Sequence, residues 1–133
     1  MELHTYYSKL GLLRVTWGKR IDARSVRRHF DLLMINTNYA RDLKVITSAD
    51  VEELGFSLTH ENMMVFRRWR AEALENYDSI TTAFYNIQPV PAAYIDYFSQ
   101  FFDSRKSRMR QFRSREAALA WLLPGAEVLA GCL

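Results

Sequence analysis

The sequence predicts an α/β domain with a mostly parallel five-stranded sheet, in the element order β-β-α-β-α-β-α-β-α. Of the 133 residues, 49% are hydrophobic and 25% are charged, which is typical of a folded globular domain. Segments with a two-residue apolar period alternate with segments of helical period, and this alternation favours parallel strands joined by helical crossovers. Because polar residues recur inside the strands, we expect the helices mainly on one face of the sheet.

Five strands are predicted from the alternating segments. They cover residues 5–9, 12–17, 43–47, 79–87 and 109–113. The second shows the pattern most clearly, because Leu13, Val15 and Trp17 share one face of an extended chain. Residues 9–11 fit a tight turn between the first two strands, and Pro89 ends the fourth.

Four helices are predicted, together with one isolated helical turn at residues 50–54. The helices begin after Asp22, after Thr59, at Ala92 and at Glu116, and they end near residues 36, 76, 103 and 123. Asp22, Thr59 and Ser114 suit the N-cap position, because their side-chain oxygens can accept hydrogen bonds from the N–H groups of a first turn. The apolar stripe of the second and longest helix consists of Val65, Phe66, Trp69 and Ala73. Its solvated side is assigned Arg67, Arg68 and Arg70.

Composition, charge and cysteine content exclude several classes of protein. We assign residues 1–123 to one domain and residues 124–133 to a C-terminal tail. Eighteen Lys and Arg against fifteen Asp and Glu give a net charge of +3. The single cysteine, Cys132, excludes an intramolecular disulfide. Because we find no signal peptide and no apolar stretch of roughly 18–20 residues, we expect a cytoplasmic protein without a membrane span.

The sequence contains no pattern typical of catalysis or of cofactor binding. His4, His29 and His60 have no second histidine or cysteine at metal-ligand spacing. No glycine-rich phosphate loop and no G-x-S-x-G nucleophile motif occurs. We therefore expect no metal, no cofactor and no enzymatic activity.

The densest charge feature is a basic run over residues 105–115, in which six of eleven residues are cationic. We interpret it chiefly as a solvated edge strand, because cations at an edge discourage pairing with other sheets. The alternative is an anion-binding patch or weak nucleic-acid binding. That patch would comprise Arg105, Lys106, Arg108 and Arg110.

The predicted third helix has an unusually aromatic side. Tyr94, Tyr97, Phe98 and Phe101 recur at helical spacing there. We expect most of them in the core. The alternative is that they line a ligand site or an interface, where aromatic residues are enriched.

The C-terminal segment FRSREAALAWL at residues 112–122 resembles the end of STAS-like domains, the group that includes anti-sigma-factor antagonists. Residues 41–46 and 76–80 are similar to bacterial members of this group, and the resemblance covers about residues 5–123. It implies a small α/β domain whose strands follow a right-handed superhelical path, and a role in binding proteins without enzymatic activity.

In the regulatory branch of that family, phosphorylation of a serine before the second helix switches partner binding. The matching stretch here is GFSLTH at residues 55–60, where Ser57 and Thr59 are the hydroxyl residues. It lacks the aspartate and the glycine of the family motif. We therefore expect the phosphoswitch to be absent.

Three functions remain open from the sequence. The leading hypothesis is a STAS-like interaction or regulatory module of a bacterial cytoplasm, acting on a protein partner or as a homodimer. The second is a binding domain for a small anionic or lipid-like ligand, and the third is weak nucleic-acid binding through residues 105–115.

Overall fold

The computed structural model describes residues 3–49, 52–57, 59–85, 96 and 106–124. Its strands are β1 (Leu3–Tyr7), β2 (Leu12–Trp17), β3 (Arg20–Ile21), β4 (Asp42–Ala49), β5 (Glu53–Leu54), β6 (Ser79–Tyr85) and β7 (Ser107–Phe112). Its helices are α1 (Ala23–Ile35), α2 (His60–Leu74) and α3 (Arg115–Leu122). The helix predicted over residues 92–103 lies outside the described residues, except for Asp96, which is helical.

Five strands form one sheet in the order β1-β2-β4-β6-β7. β1 runs antiparallel to β2, and the other neighbouring strands are parallel. Val15 of β2 lies opposite Thr47 of β4, which in turn lies opposite Phe84 of β6. The predicted α/β class and the mostly parallel five-stranded sheet are therefore confirmed.

The predicted N-caps are confirmed at all three helices. The side chains of Asp22, Thr59 and Ser114 each accept a hydrogen bond from the backbone N–H three residues later. At Asp22, the hydrogen bond from the Ser25 N–H lowers the pKa of the carboxyl group. These caps fix where each helix begins, because they satisfy N–H groups that have no partner inside the helix.

The helical turn predicted at residues 50–54 is wrong in its described part. Glu53 and Leu54 form β5, which pairs in parallel with β3 in a separate two-stranded sheet. The Gly55 N–H donates to the Ile21 carbonyl at 2.6 Å, and the Glu53 N–H donates to the Lys19 carbonyl at 3.0 Å. The backbone of this segment is thus paired with the chain after β2 and not within a local turn.

The first and last strands of the five-stranded sheet begin two residues earlier than predicted. β1 ends at Tyr7 because a turn starts there, in which the Leu10 N–H donates to the Tyr7 carbonyl at 3.0 Å. β7 begins at Ser107, and the preceding Lys106 carbonyl already accepts from the Ile80 N–H at 2.8 Å. The ladder between β6 and β7 therefore extends further than the apolar alternation indicates.

Helices α1 and α2 cover one face of the sheet. Phe30 and Leu33 of α1 lie in one apolar cluster with sheet residues and with the end of α2. The buried sheet residues of this cluster are Leu13, Val15, Leu43, Val45 and Ile80. The Tyr77 hydroxyl, just beyond α2, donates to the Leu33 carbonyl at 2.6 Å and so joins the two helices.

Helix α3 packs on the opposite face, which the sequence predicts to remain largely uncovered. Leu119 and Leu122 of α3 form a second buried cluster with Leu12, Ile46 and Ala83. Leu12 and Ile46 directly neighbour Leu13 and Val45 in the chain, so they point to the other side of the pleated strands. The expectation of helices mainly on one face thus holds for α1 and α2 and is wrong for α3.

Arg70 is buried, although its helix position is predicted to be solvated. Its relative exposure is 6%, and it shares the inward side of α2 with Met63, Phe66 and Ala73. The spacing of three and four residues places these four side chains on one face of the helix. The apolar stripe chosen from the sequence is therefore rotated, because Val65 is only half-buried whereas Arg70 points inward.

Candidate functional site

The two hydroxyl residues considered for a phosphoswitch lie at the start of α2. Ser57 is exposed, and its carbonyl accepts hydrogen bonds from the Thr59 N–H at 2.9 Å and from Asn62 Nδ2 at 2.7 Å. Thr59 Oγ1 accepts from the Asn62 N–H at 3.2 Å. Thr59 is thus the helix cap.

The two-stranded β3–β5 sheet joins the segment after β2 to the segment that precedes α2. Arg20 lies 3.2 Å from the Asp22 carboxylate and 3.6 Å from that of Glu53. The rings of Phe56 and Phe66 meet edge to face, with centroids 5.0 Å apart. The carboxyl ends of β2 and β4 are therefore followed by a packed and ion-paired segment.

The described part of the predicted anion patch begins at the opposite, amino end of the parallel strands and reaches their middle at Arg110. Lys106, Arg108 and Arg110 are exposed, whereas Arg105 lies outside the described residues. Arg108 and Arg110 are two positions apart in β7, so they share the α3 side of the sheet. The two residues lie about 7 Å apart along the strand.

Lys44 of β4 lies on the same face of the sheet as Arg108 and Arg110. Lys44 lies opposite Thr81 of β6, and Thr81 lies opposite Arg108 of β7, so one row crosses three strands. Adjacent strands lie about 4.8 Å apart, which places Lys44 about 10 Å from Arg108. We call Lys44, Lys106, Arg108 and Arg110 the basic corner.

No cation of the basic corner forms an ion pair with any residue that the structure describes. This contrasts with Arg27 of α1, which lies 3.2 Å from the Asp31 carboxylate and 3.8 Å from that of Glu72. Asp42 lies two residues before Lys44, at the amino end of β4. Its carboxylate accepts a hydrogen bond from the Ser79 hydroxyl at 2.8 Å. The corner therefore carries four positive charges, and on the described β4 and β6 strands the Asp42 carboxylate lies one row away from Lys44.

Aromatic rings of α3 and β7 orient the guanidinium group of Arg110. Its Cζ lies 5.9 Å from the ring centroid of Trp121 and 6.0 Å from that of Phe112. A guanidinium at this distance is attracted by the ring face while its N–H groups can still contact a partner. Arg110 thus has a more defined position than a freely solvated arginine.

The basic corner is bounded by α3. Arg14 of β2 also points to this face, and it lies in the same row across the sheet as Arg110 of β7. Two residues separate them in that row, Ile46 of β4 and Ala83 of β6. Ile46 and Ala83 are both buried in the α3 cluster. Arg14 and Arg110 are therefore separated by covered sheet, and Arg14 does not belong to the corner.

Sequence reasoning identifies the β7 cations but misses Lys44. Its assignment to the corner needs the register between β4 and β7, which no local pattern contains. The alternation in residues 43–47 does place Lys44 on the face opposite Leu43 and Val45, and this was the one signal present in the sequence.

The predicted aromatic site lies outside the described residues, which include none of Tyr94, Tyr97, Phe98 and Phe101. The described contact to this segment is a hydrogen bond from Gln111 Nε2 to the Asp96 carboxylate at 2.6 Å.

A second group of polar residues lies under α1 and α2. Arg70 Nε donates to the Ser107 hydroxyl at 2.7 Å, while Arg70 Nη2 and Thr47 Oγ1 are buried without a hydrogen-bond partner. Burial lowers the pKa of Arg70 to about 10, so the side chain is charged at neutral pH.

The histidines of β1 and α1 meet beside this group. His4 Nε2 and His29 Nδ1 are 3.2 Å apart, a distance at which one neutral ring can donate to the other. Burial lowers the pKa of His29 to about 3, with further lowering from the charges of His4 and Arg70. His29 is therefore neutral near pH 7.

Within the described ranges, no three His, Cys, Asp or Glu side chains come together as a group that could hold a metal ion. None of the described helices is long and apolar enough to cross a membrane. Comparison of the chain with protein-family models, with curated proteins and with solved structures gave no match.

Proposed function

We propose that this chain is a STAS-like interaction module, without enzymatic activity, that binds an acidic protein partner through the basic corner. The supporting observation is a set of three cations on one face of the sheet, with Lys106 directly before β7, and none of the four is ion-paired with a described residue. The resemblance of residues 112–122 to STAS-like domains supports the non-enzymatic class and a bacterial cytoplasmic setting.

Electrostatics explains how such a corner selects a partner. Cations that no carboxylate neutralises produce a local positive potential, and this potential speeds association with a negatively charged surface. Arg108 and Arg110 can each form two parallel hydrogen bonds with one carboxylate. The corner thus favours a surface rich in Asp and Glu.

The shape of the corner favours a protein surface over a small anion. Lys44 stands on β4, Arg108 and Arg110 stand on β7 with β6 between the two strands, and Lys106 directly precedes β7. Lys44 and Arg108 are about 10 Å apart across the strands, and Arg108 and Arg110 are about 7 Å apart along β7. A small ligand usually requires a concave site that covers most of its surface, whereas exposed cations on a pleated face suit an extended contact.

A direct test is binding to a labelled acidic peptide of alternating Glu and Ala, followed by fluorescence anisotropy at low salt. A fourfold variant with Gln at Lys44, Lys106, Arg108 and Arg110 should bind at least about tenfold more weakly, since four charge contacts of about 0.5 kcal/mol each are removed. A single-stranded oligonucleotide of equal charge serves as the competing probe.

The matched control removes the same charge elsewhere. Gln replaces four cations from the loop before β3 and from α1 and α2: Lys19, Arg24, Arg67 and Arg68. This control should keep most of the peptide affinity. Equal weakening in both fourfold variants, or tighter binding of the oligonucleotide than of the peptide, would reject the proposal.

A further inference from the structure

The two edges of the five-stranded sheet differ in protection against pairing. Among the residues that the structure describes, β1 and β7 are the outermost strands of this sheet. β7 carries Arg108 and Arg110 and follows Lys106, and such cations discourage edge-to-edge contact. β1 has the sequence LHTYY, which contains no Lys, Arg, Asp, Glu or Pro. The β1 edge thus lacks the charges that protect β7.

β1 is also held firmly in an extended conformation. All five of its residues are in antiparallel register with β2. The Tyr6 hydroxyl accepts from the Ala40 N–H at 2.9 Å, and the Tyr6 and Tyr39 rings lie 4.5 Å apart. The His4–His29 contact ties the strand to α1. An edge fixed in this way can receive another strand without first being ordered.

We propose that β1 pairs antiparallel with β1 of a second copy, so that two five-stranded sheets join into one sheet of twofold symmetry. A twofold axis at the strand midpoint closes the assembly at two chains. Pairing through β7 would bring the cations of two copies close together, which is unfavourable. The charge difference between the edges therefore selects β1.

The register follows from the symmetry. Thr5 is the middle residue of β1, so it lies opposite Thr5 of the second copy. His4 then lies opposite Tyr6 of the second copy, and this pair occurs twice. Paired threonines and paired aromatic rings are among the cross-strand combinations that stabilise antiparallel sheets.

This inference does not depend on the proposed acidic partner. The basic corner extends from β4 to β7 and stays at the outer ends of the joined sheet. Loss of one binding property therefore leaves the other measurable.

Molar mass in solution, measured by light scattering after size exclusion, tests the pairing. Over about 10 to 200 µM the wild-type protein should approach twice its 15.6 kDa, because association depends on concentration. Thr5→Glu and Thr5→Lys should each remain monomeric, since like charges then face each other across the axis. An equimolar mixture of the two variants should restore the dimer.

Thr16→Glu is the matched control, because Thr16 lies on the same face but on β2, one strand inside the edge. It should dimerise like the wild-type protein, and circular dichroism should show every variant folded. A wild-type monomer at the highest concentration, a dimer that survives Thr5→Glu, or a mixture that stays monomeric would each overturn the proposal.

Discussion

Arg70 lies on the same helical line as Met63, Phe66 and Ala73, so α2 directs its guanidinium into the core. The Nε atom of Arg70 donates one hydrogen bond to the Ser107 hydroxyl, whereas its Nη2 atom has no hydrogen-bond partner. A charge removed from water without a counter-charge lowers the free energy of unfolding, even where one hydrogen bond is formed.

We expect Arg70→Met to raise the free energy of unfolding by about 1 kcal/mol, because Met keeps an unbranched apolar side chain and removes the buried charge. Urea denaturation measures the change. Arg68→Met, at an exposed position of the same helix, should change it by less than about 0.5 kcal/mol. A clear loss of stability in Arg70→Met would show that the hydrogen bond to Ser107 outweighs the cost of burial.

Residue-scale features were predictable from sequence where the controlling contacts are local. Asp22, Thr59 and Ser114 bond to N–H groups only three residues away, and all three caps are confirmed. The position of Arg70 was not predictable in this way, because the inward face of α2 depends on its contacts with α1 and the sheet. Because all three arginines of α2 were assigned to solvent, the predicted apolar stripe of this helix was displaced from its true inward face.

At the scale of elements, β1 and α1 are joined by the contact between His4 and His29. Trp17 of β2 and Phe30 of α1 lie against the His29 ring, with centroids 5.4 and 5.2 Å away. Both rings of the pair would be donors if both were protonated, so the contact requires that at least one is neutral.

Stability should therefore fall on mild acidification. In the folded state His29 has a pKa lowered to about 3, whereas an unfolded histidine takes up a proton near pH 6.5. Its stabilising contribution is complete above that pH and is lost as the pH falls towards 3. Between pH 7 and pH 5 we expect the free energy of unfolding to drop by up to about 2 kcal/mol.

Thermal denaturation at pH 7, 6 and 5 measures this drop. His29→Leu should flatten the pH dependence, because the titrating ring is removed. His60→Gln is the control, since His60 is exposed at the start of α2, and the loss of stability between pH 7 and pH 5 should persist in this variant. An equally steep fall in His29→Leu would assign the acid sensitivity to other groups.

The whole molecule has an apolar cluster on each face of one sheet. The sequence predicted the α/β class and the mostly parallel five-stranded sheet, since alternating strands and helices restrict the topology. It did not predict the face taken by α3, because the crossover rule applies to a helix between two parallel strands, and α3 joins no two of the strands that the structure describes. It also could not supply the basic corner, which exists only when β4, β6 and β7 are in register.

If α3 is an integral layer, both faces should unfold together. Leu119→Ala on the α3 side and Leu33→Ala on the α1 side should each lower the free energy of unfolding by about 2 to 4 kcal/mol, because both leucines are buried. Far-UV circular dichroism follows the whole chain. Trp121 fluorescence follows α3 when Trp17 and Trp69 are replaced by Phe.

The two signals should show one common urea midpoint in both variants, as two-state unfolding requires. The sheet explains this expectation, since Val45 and Ile46 are consecutive residues buried in opposite clusters. A loss of packing on either side therefore acts on the same strand. If the Trp121 transition in Leu119→Ala occurs at lower urea than the circular dichroism transition, α3 unfolds independently of the rest of the domain.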